Sequence, residues 1–157
     1  MLIAVLQFGH NDQKETANIT LERYAANLGN MAADVKSAGG TPVLVTPLTR
    51  RSFSGRPERV TENLARERNA TISVAQSTGT WFIDLNKASE DYVNAIGSGE
   101  ADGYNFKEGD RTHLNPHGSV VFARMLADLL STKYQQLAPA FKVNTSMSAL
   151  ISAGKPA

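Results

Sequence analysis

Residues 2–12 read LIAVLQFGHND, a mostly apolar run from Leu2 to Phe8 that stops at Gly9 and turns polar. A short apolar run bounded by a turn signal reads as a strand buried on both faces of a parallel sheet. It has no basic start and ends in a polar turn, so it does not read as a secretory signal peptide. A buried strand at the first residue of a domain is unusual, and the rest of the chain has to be read with that in mind. Downstream, Leu21, Tyr24, Ala25, Leu28, Met31, Ala32 and Val35 recur at helical spacing behind Thr20, a good N-cap, and Gly39-Gly40 ends the pattern. Residues 41–46 (TPVLVT) form the second predicted strand, and Pro47 to Pro57 a loop carrying Arg50, Arg51 and Gly55. Pro57 suits the first turn of a helix over 57–78, and Gly79 ends it.

The third strand is expected at 80–85 (TWFIDL), followed by a short helix at about 87–96 capped by Asn86 and stopped by Gly97. Residues 97–113 then read as a long polar loop, of the kind that often carries function. The last clear helix starts at Pro116 after Asn115 and presents Phe122, Met125, Leu126, Leu129 and Leu130 on one face. Strands alternating with helices imply right-handed crossovers. The expected fold class is therefore α/β, a three-layer α/β/α arrangement on a parallel sheet of about three strands. Residues 1–135 hold this domain, and 136–157 form an appendage or tail.

Composition narrows the function classes. The 157 residues are 41% hydrophobic and 20% charged, with 16 basic and 15 acidic side chains and no cysteine. That is ordinary globular composition. No apolar run approaches the roughly 18 residues of a membrane helix. The near-neutral balance lacks the concentrated basic face of a nucleic-acid binder, so neither nucleic acid nor membrane is expected as a partner. Without cysteine there is no disulfide, thiol nucleophile or Cys-ligated zinc.

Ligands of open α/β sheets bind at the carboxyl ends of the strands. Polar clusters fall there at Gly9-His10-Asn11-Asp12, at Thr49-Arg50-Arg51, and at Asp110-Arg111-Thr112-His113 with Asn115 and His117. An aspartate three residues before a histidine in a turn can reach the ring, fix its tautomer and aim the free nitrogen outward. The same spacing suits a turn aspartate capping backbone amides beside a solvated histidine. Asn11, in a turn that Gly9 lets bend sharply, can aim an N–H donor at a developing oxyanion. It equally suits an ordinary β-to-α turn in which Asn11 or Asp12 caps.

FGHND at 8–12 and DRTHLNPHG at 110–118 together resemble the SGNH hydrolases, also called GDSL esterases. VLVTPLTRRSF (43–53) and FIDLNKAS (82–89) look like the rhamnogalacturonan acetylesterase branch, and the resemblance runs over about 2–134. It implies the flavodoxin-like fold of that family, reduced here to about three strands. It also implies an oxyanion donor at Asn11 beside Gly9, and a triad orienter and base at Asp110 and His113. The family's first block, a Gly-Asp-Ser segment with the nucleophilic serine, and its second, which supplies a glycine amide to the oxyanion hole, lie upstream of the G-x-N-D segment. No substitute occurs here: Gly109-Asp110 is followed by Arg111, and Ser52, Ser54 and Ser119 lie in no nucleophile-elbow context. The expectation is therefore a shortened sequence, as a truncated gene model, degraded gene or fragment would give. Residues 2–8 would then form an edge that invites self-association or marginal stability.

The implied activity is ester hydrolysis, with an acetylated pectic polysaccharide or a small ester as substrate and no cofactor. The alternative is a non-catalytic remnant or carbohydrate-binding module. Arg50 and Arg51 are candidates for the carboxylates of an acidic sugar polymer. A metal shared by His10, Asp12, His113 and His117 lacks any recognised ligand spacing, so no metal is expected. The family suggests an extracellular location, which three N-x-S/T sequons at Asn18, Asn69 and Asn144 support weakly.

Overall fold

The computed structural model describes residues 2–157. The described residues divide into two units, 2–48 with 63–86 and 49–62 with 87–157. The first holds β1 (Ile3–Gln7), α1 (Leu21–Ser37), β2 (Thr41–Val45), α2 (Ala65–Ser77) and β5 (Trp81–Ile83). Its sheet is parallel in the order β1-β2-β5, with Val5 opposite Val43 and Leu44 opposite Phe82. This is the parallel, crossover-connected sheet that the alternating pattern predicts.

β2 is the centre of this sheet, and Val43, Leu44 and Val45 are buried on both of its faces. Tyr24, Leu28 and Ala32 recur every four residues along α1, so they form one stripe. That stripe packs with Leu44 and with Ala75 of α2, and Leu6, Ile19, Met31, Val74 and Phe82 close around it. Thr20 caps α1 as the sequence indicates, accepting a hydrogen bond from Arg23 N at 3.2 Å.

β1 takes the edge position expected for residues 2–8, and only its reading as a strand buried on both faces needs correcting. It is an edge strand with one neighbour, and none of its five residues is fully buried. Leu2 is 67% and Val5 45% exposed, and Phe8 is also exposed. An apolar run specifies a strand, but burial of its second face requires something packed there.

The second unit holds a hairpin, β3 (Phe53–Ser54) and β4 (Arg59–Val60), then α3 (Leu85–Asp102, from Lys87 on), α4 (Pro116–Lys133) and α5 (Thr145–Ser152). Three sequence boundaries shift. The helix expected from Pro57 begins only at Ala65, because residues 53–60 pair as the hairpin, with Phe53 opposite Val60. The Val60 amide donates to Asn94 Oδ1 at 2.8 Å, which fixes that hairpin on α3. Gly97 interrupts α3 where the sequence indicates, and what the sequence misses is the second helical stretch beyond it. The glycine takes a non-helical conformation (φ 83°, ψ 168°) and the helix resumes to Asp102, so the long loop shrinks to the turn 103–115. The Asn86 side chain lies within α3 and donates to the Pro47 carbonyl instead of capping. Finally, the tail contains α5, capped by Asn144, whose Oδ1 accepts from Met147 N.

The core of this unit is aromatic. Tyr92 and Tyr104 stack at 6.3 Å, and both meet Phe122 edge-on at about 6 Å. Asn115 caps α4 by accepting from Gly118 N at 2.8 Å, with Pro116 in the first turn, as the sequence indicates. No helix among the described residues is long and apolar enough to cross a membrane.

Candidate active site

Asp110 and His113 lie in the turn between α3 and α4. Asp110 Oδ1 accepts from the backbone N–H groups of both Thr112 and His113 at 2.9 Å. Its Oδ2 lies 2.9 Å from His113 Nδ1. All three contacts favour the charged carboxylate, and the two backbone donors act most strongly, so Asp110 is held well below the usual carboxylate range. An anionic acceptor at Nδ1 places the neutral ring's hydrogen there and leaves the Nε2 lone pair available. The orienting carboxylate is 15% exposed and the ring 74% exposed. The two readings left open by D-x-x-H therefore coincide: one carboxylate caps backbone amides and orients the imidazole.

The turn is gripped from behind. Arg51 is fully buried, and its Nε donates to Asn105 Oδ1 at 2.6 Å and its Nη2 to the His113 carbonyl at 2.8 Å. Its backbone N–H donates to the Arg111 carbonyl, and Phe106 N also donates to the His113 carbonyl. Arg50 Nε donates to Thr112 Oγ1 at 3.2 Å. Asn115 adds a side-chain bond to the Gly103 carbonyl at 2.7 Å, and Arg111 pairs with Asp102. The expectation that Arg51 receives a substrate carboxylate is overturned, because a guanidinium shut inside the unit and bonded to its own loop presents no face to a ligand. Asn105 escapes the sequence reading altogether. The sequence offers no local signal for the burial of Arg51, because the uncharged run 41–49 ends before Arg50 and Arg51.

The first unit carries the other candidates. Gly9 is buried with φ +129°, and its amide donates to Asp12 Oδ2 at 3.0 Å. A Cβ at this position would lie 3.2 Å from Pro47 Cγ and 3.3 Å from Glu67 Cβ, so a side chain here would push its neighbours aside and strain a backbone that suits glycine. His10 Nε2 lies 2.8 Å from the Leu48 carbonyl, which fixes its hydrogen on that nitrogen. Gln13 ties the loop to α2 by donating to Glu67 Oε2 at 2.8 Å. Asn11 is exposed, and its carbonyl accepts from Lys14 N. Asp12 thus closes the turn back onto Gly9 and caps no helix, since α1 is capped by Thr20, while the exposed Asn11 stands at the surface.

His117 is committed elsewhere, against the Tyr104 ring at 5.6 Å. Among the described residues no three His, Asp or Glu side chains gather as a metal would require.

No protein-family model matches the chain. A rhamnogalacturonan acetylesterase of Bacillus subtilis, RhgT, is 26% identical over 136 residues, which cover 79% of this chain and 58% of the relative. A second Bacillus subtilis protein, the uncharacterized esterase YxiM, is 29% identical over 123 residues, 77% of this chain and 31% of the relative. The crystal structure of YxiM superposes with a TM-score of 0.76 over 83% of this chain and 37% of that one, at 26% identity. A Slackia heliotrinireducens protein described as an SGNH hydrolase superposes with a TM-score of 0.55 at 20% identity, covering 82% of this chain and 65% of that one. The fold is that of the SGNH hydrolases. The similarity to YxiM thus appears both in sequence and in three dimensions, over most of these residues. The chain spans 58% and 31% of the two relatives' own lengths.

Proposed function

We propose that these residues carry the general base of an SGNH-type ester hydrolase that removes acetyl groups from carbohydrate, with a pectic polysaccharide as the substrate class. The observation that carries the reading is the Asp110–His113 pair, a backbone-locked carboxylate 2.9 Å from Nδ1 of an exposed imidazole. In this reading His113 Nε2 takes the proton of a serine hydroxyl as that oxygen attacks the acetyl carbonyl. Asp110 stabilises the imidazolium that forms. His113 returns the proton to the leaving sugar alcohol, and the same cycle with water releases acetate. Asn11 and backbone amides hold the oxyanion. The serine is not identifiable among these residues. The similarity to RhgT supports carbohydrate acetyl esters as substrate, and Arg50 remains a candidate contact for an acidic sugar. The family also makes an extracellular location our reading.

The test compares nitrophenyl acetate hydrolysis by the 157-residue chain with hydrolysis by the chain fused to the Gly-Asp-Ser-bearing block of an SGNH relative. The expected result is background turnover for the chain alone and turnover in the fusion that His113→Ala lowers by about 10²–10⁴-fold. Turnover in the fusion that is indifferent to His113→Ala overturns the base assignment. A fusion that folds but never hydrolyses favours a non-catalytic, carbohydrate-binding role.

A further inference from the structure

A buried arginine is a costly way to fill space. The Arg51 guanidinium is withdrawn from water entirely, and its Nη1 is buried with no hydrogen-bond partner. A space-filling residue would avoid that desolvation cost. Burial pulls this guanidinium down to about 10, with Asp110 opposing the shift and Arg111 adding to it, so the group is still a cation at neutral pH. What the cost sustains is visible in its partners. The two paired nitrogens bind one carbonyl and one amide oxygen of the same turn, at His113 and Asn105. Asn105 in turn donates to Asp102 Oδ1 at 3.2 Å, and its residue bridges to Leu114 across the turn. The planar fork of an arginine matches such a divided target, which a lysine cannot reproduce.

We infer that Arg51 is a positioning residue: by fixing the His113 backbone from inside the unit, it sets the imidazole against Asp110 and leaves Nε2 facing outward. Its importance for catalysis rests on the hydrolase reading above, but the positioning itself is measurable without any ester. The probe is the tautomer of neutral His113 in the 157-residue chain, read from nitrogen-15 spectra of the imidazole. His117, in the same unit and against Tyr104, serves as the internal control.

In the parent chain the Nδ1–H form of His113 should dominate. Arg51→Lys keeps the charge and loses the fork, and should shift most of that population to the Nε2–H form that free imidazole favours, with His117 unmoved. Asn105→Leu releases one arm only and should give a smaller shift in the same direction. An unchanged His113 tautomer in both variants overturns the inference. So does a shift in which His117 moves equally, since Arg51 would then support the unit as a whole. If Arg51→Lys does not fold, Asn105→Leu decides alone, and no shift there ends the proposal. A tautomer that responds while the fusion stays inactive keeps the positioning role and removes the hydrolase reading.

Discussion

Residues 9–12 and residues 110–113 are both turns between ordered elements, yet they are held by different means. The first turns on a glycine in a conformation other residues rarely adopt, close against Pro47 and Glu67, with Asp12 on its amide and His10 and Gln13 tying its flanks to Leu48 and Glu67. The second is fixed by side chains from afar, with Arg50 and Arg51 reaching across about sixty positions to Thr112, Asn105 and His113. The glycine should therefore matter more in the first turn, and the distant arginines more in the second.

The contrast can be broken in several places. Asn11→Ala, measured in the serine-bearing fusion, should lower kcat by about 10²–10³-fold while leaving the unfolding midpoint in urea unchanged. A full rate would remove Asn11 from the oxyanion site, and a large fall in stability would contradict the exposed carboxamide. Gly9→Ala should destabilise by about 1–3 kcal/mol in urea unfolding, because it combines a forbidden φ with crowding. Gly109 provides the matched control in the other turn. Its φ is +77° and its missing Cβ would meet nothing within 4 Å, so Gly109→Ala should cost only about 1 kcal/mol. Equal costs would show that the first turn gains nothing from its close approach.

Asp110 sharpens the comparison through pH. Its carboxyl titrates lower in the folded chain than in the unfolded one. Its stabilisation is therefore complete above the unfolded value of about 4 and drains away as pH falls further. Asp110→Asn should flatten the acid side of the stability profile below about pH 4, as read from urea midpoints. A profile as steep as the parent's would mean that other carboxylates set the acid limit. The smallest effect is expected at the sheet edge. Val5→Lys should reduce concentration-dependent association in sedimentation without altering monomer stability by more than about 0.5 kcal/mol.

What was legible in the sequence follows the range of the interactions. Thr20 and Asn115 cap helices through atoms three residues away, and both are read correctly from local spacing. The contact between Asp110 and His113 is equally local. Pro57 misleads because a helix-starting proline and a turn proline look alike until Phe53 meets Val60. Gly97 breaks the helix as its local signal indicates, but the helical stretch that follows to Asp102 carries no cap signal of its own and is missed. Asn144 reads as a sequon but caps α5, a helix of eight residues that is too short to show a clear period. Arg51 was the hardest, since its burial is decided by partners at 105 and 113 that no local window contains.

The only tryptophan, Trp81, lies on β5 in the first unit, and the second unit has none. Its emission is thus a natural beacon for the sheet alone, while far-ultraviolet circular dichroism counts helices in both units. Coincident melting curves from the two signals would mark one cooperative transition, and separated curves two.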